Sequence, residues 1–97
     1  MHENMFFNMA KIILEQTCFG CPEQYDVFNG EELIGYIRYR WGCLKCNPVI
    51  DGEYQFENIL FSWESGDPYD GILPDDKREE LLEKCKEAIC KFHNIEI

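Results

Sequence analysis

The sequence predicts an α+β domain: an antiparallel sheet of about four strands with a C-terminal helix packed on one face. Three observations carry this. Runs rich in Ile, Val, Tyr, Phe and Trp are punctuated at Asn29-Gly30 and Asp51-Gly52, which are hairpin turn signals. One later run, with Leu81, Leu82, Cys85, Ile89 and Phe92, has helical spacing. The chain has 97 residues, 45% of them hydrophobic, enough for one core and no second one, so 1–97 reads as a single domain.

Taken in order, residues 10–17 (AKIILEQT) form a β-branched run that reads as a strand, and CFGCPEQ reads as a tight turn. YDVF is a short strand, and Asn29-Gly30 turns it into a hairpin that pairs 25–29 with about 33–37. LIGYIRYRW (33–41) is the clearest strand. Alternation puts Tyr36, Arg38 and Arg40 on one face and Ile37, Tyr39 and Trp41 on the other. GCLKCNP reads as a second turn. EYQFENILFSW (53–63) reads as one long strand whose alternation changes phase near Asn58, as at a bulge. Residues 64–74 are a loop by composition. Asp76 with Glu79 three places on has the pattern of a capping box, and Asn94 that of a helix stop. On this spacing Cys85 is core and Cys90 partly exposed, and the terminal His93 is expected in solvent. Tyr39, Trp41, Tyr54, Phe56, Phe61 and Trp63 are expected in the core.

The net charge is −10. Residues 1–74 carry twelve acids against only Lys11, Arg38, Arg40 and Lys45. A field of this sign repels nucleic acid and anionic lipid, so no direct nucleic-acid binding is expected. No run reaches the ~18 apolar residues of a membrane span, and the N-terminus lacks the pattern of a secretion signal. The expected location is cytoplasmic, where thiols stay reduced.

Six cysteines then need an account other than disulfides. Cys18-x-x-Cys21 and Cys43-x-x-Cys46 are separated by 21 residues. Two such turns would form zinc knuckles whose thiolates complete a tetrahedral shell around a structural Zn²⁺. Two other readings stand beside it: reduced cysteines that serve as small apolar packing residues, and a redox pair or iron site.

Arg38 and Arg40 are the only arginines before the helix. With Tyr36 beside them, and Tyr25 across the hairpin, they form a cationic strip on an acidic body. Guanidinium groups suit carboxylate or phosphate, and tyrosine offers a stacking surface. The competing reading pairs the arginines with Asp26, Glu31, Glu53 or Glu57 across the sheet. There is no serine-nucleophile motif, no histidine inside the fold and no phosphate-binding glycine loop, so a non-enzymatic protein is expected.

Thr17, Cys18, Cys21, Pro22, Gln24 and Tyr25, followed by Tyr36, Arg38, Tyr39, Arg40 and Gly42, resemble the core of a set of small uncharacterised bacterial and bacteriophage proteins. The resemblance covers about a quarter of the chain. It implies kinship without an activity, and it singles out Gln24, Tyr25, Arg38 and Arg40. The expectation is a zinc-stabilised binding or accessory protein. Gln24, Tyr25, Tyr36, Arg38 and Arg40 would take a small anion, a nucleotide or an acidic segment of a partner protein. The alternatives are an acidic inhibitor that mimics nucleic acid, and a thiol redox protein using Cys18 and Cys21.

Overall fold

The computed structural model describes residues 11–18 and 22–96. Strands β1 (Ile12–Cys18), β2 (Glu23–Asn29), β3 (Glu32–Arg40) and β4 (Cys43–Ile50) form an antiparallel meander. The outer edge of β4 is shared. β5 (Glu53–Tyr54) pairs with Val49 and Ile50, and β6 (Phe61–Glu64) pairs with Cys43–Cys46. The helix α1 (Asp75–Phe92) packs over β3, β4 and β6. The fold is therefore α+β, with a helix on one face of an antiparallel sheet. Among the described residues, no helix is long and apolar enough to cross a membrane.

The first hairpin turns at Gly30-Glu31, and its register joins Tyr25 to Ile37 and Asn29 to Glu32. The second turn is only Trp41-Gly42, with φ of 58° and 70°. Both central residues are left-handed, which matches the twist of the flanking strands. Gly42 is required for a further reason: a Cβ there would lie 2.1 Å from the carbonyl oxygen of Asp67.

Two expectations are corrected here. GCLKCNP is not a turn, because residues 43–48 lie inside β4. Pro48 is tolerated there because its carbonyl accepts from the N–H of Gln55. Its missing N–H therefore points to the same edge, into the gap between β5 and β6, where no ladder bond is lost. The long strand at 53–63 is instead two short strands joined by residues 55–60, so the phase change near Asn58 marks a loop rather than a bulge.

The core lies between the sheet and α1. Tyr25, Val27, Ile37, Tyr39, Leu44 and Cys46 meet Leu81, Cys85 and Ile89. Burying these side chains contributes about 1.5–3 kcal/mol for each large one. Gly35 lets the helix come close, since a Cβ there would sit 2.6 Å from Cδ1 of Ile89. Cys90 is buried, contrary to expectation, and Phe92 is the more exposed of the two. Among the six expected core aromatics, Tyr39 is buried and Phe61 and Trp63 are half-buried. Trp41, Tyr54 and Phe56 are exposed, because they sit at a turn tip, on a two-residue strand and in a loop.

The ends of α1 are anchored by side chains. Pro74 occupies the N-cap position and makes no side-chain cap bond, so the box at Asp76 and Glu79 does not form. Glu23, only 2% exposed, holds this end instead. It accepts from Nε of Arg78 at 2.8 Å, from the N–H of Leu73 at 2.9 Å and from the hydroxyl of Tyr25. At the other end, Nε2 of His93 donates to the carbonyl of Ile34 at 2.8 Å. The ring is half-buried rather than solvated, and Asn94 ends the helix at φ 60°.

Candidate anion-binding face

Strand alternation assigns the side chains of the face away from α1. In one cross-strand row, Cys18 pairs with Gln24, Gln24 with Arg38, Arg38 with Lys45, and Lys45 with Ser62. The row on one side holds Asp26, Tyr36 and Asn47. The row on the other holds Arg40, Cys43 and Glu64. Three of the four basic residues that precede the helix thus meet on two neighbouring strands.

Arg38 and Lys45 are directly opposed, an arrangement that costs about 0.2–1 kcal/mol when nothing lies between the charges. Among the described residues, neither these two nor Arg40 makes an ion pair with a carboxylate. The expected cross-sheet partners are otherwise engaged or elsewhere: Asp26 accepts from the hydroxyl of Tyr54 at 3.1 Å, and Glu53 is exposed on β5, paired with Ile50 at the far end of β4. Nε of Arg38 is buried with no hydrogen-bond partner among the described residues. A buried unpartnered donor costs about 1–3 kcal/mol, so it marks a place where an acceptor is wanted.

A cavity of about 420 Å³ lies over these side chains, lined by Tyr36, Arg38, Arg40, Trp41, Cys43, Lys45, Asn47 and Phe56. That volume is within the range of small-molecule sites. Aromatic rings close both ends. At one end Tyr36 is fixed rather than free. Its hydroxyl donates to Oε1 of Gln24 at 2.8 Å, and its ring packs edge-on to Tyr54 and Phe56. Burial pushes the Tyr36 phenol above its ordinary value, the Arg38 charge opposing and Asp26 adding to it. Phe56 stacks on Tyr54 at 5.5 Å and 13° and is itself 61% exposed. Asn47 holds this loop in place, its Nδ2 donating to the carbonyls of Phe56 and Asn58 at 3.1 and 3.0 Å. At the other end Trp41 is 63% exposed, with the Arg40 guanidinium 4.9 Å from its ring centroid. A bulky side chain at positive φ is uncommon and costs on the order of 1–2 kcal/mol, a strain that collects at functional sites.

The predicted site residues divide. Gln24, Tyr36, Arg38 and Arg40 come together on this face. Tyr25 does not: it pairs with Ile37 and lies buried on the helix face, bonded to Glu23. That bond and burial push its phenol up to about 12, with burial the larger cause. The sequence reading missed Lys45, Asn47 and Phe56, because it took β4 for a turn and placed Phe56 in the core.

The three described sulfurs of this pattern, on Cys18, Cys43 and Cys46, are not brought together. Cys43 and Cys46 are three residues apart in a strand, so they point to opposite faces. Cys18 is three strands from both, roughly 14 Å across the sheet. Cys21 lies outside the described residues. Cys46 and Cys85 are fully buried together in the core, where the Cys46 sulfur beside it and burial push the Cys85 thiol far above its ordinary value. Cys46, Cys85 and Cys90 are thus packing residues. Among the described residues, no group of three or more His, Cys, Asp or Glu side chains is placed to hold a metal ion.

Compared with known protein families, curated proteins and solved structures, the chain matches none.

Proposed function

We propose that this chain is a small non-enzymatic binding protein that takes an anionic ligand on the sheet face away from α1. Arg38 and Lys45 grip the charge, Arg40 extends the grip, and Gln24 positions Tyr36 beside it. One observation carries the reading: two cations are held directly opposite each other, with a buried guanidinium N–H left without an acceptor among the described residues. In a chain of net charge −10, acids were the commoner choice for either position. An anion between the two side chains turns their repulsion into a charge-assisted clamp. The aromatic rims at Phe56 and Trp41 fit a ligand held on this face.

The test is a titration of isotope-labelled protein with inorganic pyrophosphate, followed by NMR of backbone amides and Arg Nε–H groups. The expected result is saturable shifts at Arg38 Nε, Arg40 and Lys45, lost in Arg38→Gln. No shift at millimolar pyrophosphate would remove the proposal.

A further inference from the structure

Resting on that reading, we infer that the ligand is a nucleoside 5′-diphosphate laid along β3, its base on Phe56 and its terminal phosphate at Arg40. The argument is the order of chemistry along the cavity. From one end to the other the side chains run aromatic, paired cations, single cation, aromatic: Phe56, then Arg38 with Lys45, then Arg40, then Trp41. Successive positions on one strand face are about 6.6 Å apart, so the two cationic rows stand one above the next at a spacing that neighbouring phosphoryl groups bridge. Three positive charges at two levels suit a diphosphate better than a lone carboxylate or monophosphate.

Phe56 is built as a platform. Tyr54 covers one of its faces, Asn47 pins its backbone, and its large exposure leaves the other face for a planar partner. A base stacks on such a ring whatever its identity. The far end limits the number of phosphates. Past Arg40 the cavity meets a second one of about 280 Å³, lined in part by Asp67 and by Glu64, which stands in the Arg40 row two strands away. A third phosphate would enter a carboxylate field and gain nothing there.

Calorimetric titration of the whole chain without divalent ions, using pyrophosphate, AMP, ADP and ATP, tests this. ADP is expected to bind about tenfold tighter than pyrophosphate, the difference being the stacked base. ADP should also bind more tightly than AMP, and no more weakly than ATP. Phe56→Ala and Phe56→Leu, both changes at an exposed ring, should bring ADP down to the pyrophosphate level and leave pyrophosphate unchanged. ADP no tighter than pyrophosphate overturns the nucleotide assignment, while pyrophosphate binding by itself leaves the anion reading standing. Failure of both ligands removes both. ATP tenfold tighter than ADP overturns the diphosphate assignment, and a loss in Trp41→Gly in place of Phe56→Ala overturns the placement of the base.

Discussion

Arg38 and Lys45 stand directly opposite each other on β3 and β4, two cations in adjoining strands of an acidic protein. Such a pair works against the sheet and in favour of whatever anion sits upon it.

The pair makes stability and binding separable. Lys45→Glu replaces repulsion with a cross-strand ion pair, so it should stabilise the fold by about 0.5–1 kcal/mol. The same change should abolish pyrophosphate binding. Chemical denaturation together with a pyrophosphate titration of the variant checks both. A variant that is less stable, or that binds as the parent does, counts against the site.

Gly35 and Ile89 set how closely α1 approaches the sheet. Gly35→Ala should destabilise by about 1–3 kcal/mol, because the added methyl overlaps a buried side chain. Adding Ile89→Val trims one of the overlapping atoms and should recover part of the loss. Thermal melts of the two single variants and the double variant form a cycle that reads the coupling.

Glu23 links β2 to the start of α1. Burial pushes its carboxyl up, but the bonds from Arg78, Tyr25 and Leu73 outweigh this and leave it below its ordinary value. A depressed carboxyl stabilises the fold above its unfolded pKa of about 4.3, and that contribution is lost as pH falls through the folded value. Glu23→Gln should therefore cost about 2 kcal/mol at pH 7. The gap between variant and parent should narrow on acidification. Urea melts from pH 7 to pH 3 measure it, and a gap that stays constant contradicts the linkage.

Much of this fold can be read in the sequence, and the residues that cannot be share a cause. The first hairpin, signalled by Asn29-Gly30 though its turn falls on Gly30-Glu31, the face shared by Tyr36, Arg38 and Arg40, and the terminal helix all follow from local periodicity and turn chemistry. β4 does not, because Gly42, two cysteines and Asn47-Pro48 all carry turn-like local preferences. Only the placement of β3, β5 and β6 around it makes Pro48 acceptable, and that is tertiary information. Losing β4 hid Lys45, and with it half of the paired charge. The Glu23–Arg78 bond joins residues 55 positions apart, beyond any local pattern.

Cys46 lies in the core against α1, so its loss should be felt as packing alone. Cys46→Ala should lower stability by about 1–2 kcal/mol. The loss should be the same with and without a strong chelator, since Cys43 on the opposite face gives Cys46 no partner thiolate. Melting temperatures of parent and variant with and without chelator decide this. A chelator-induced drop in the parent that is absent in the variant would restore a metal role for Cys46.

The opposite aim of Cys43 and Cys46 gives the molecule two chemical clocks three residues apart. A thiol reagent added to the native chain meets Cys43 at the rate set by its half-covered surface. It reaches Cys46 only in those rare moments when helix and sheet part company. The ratio of the two modification rates is thus a gauge of how often the protein opens, and a ligand seated across β3 and β4 would slow both.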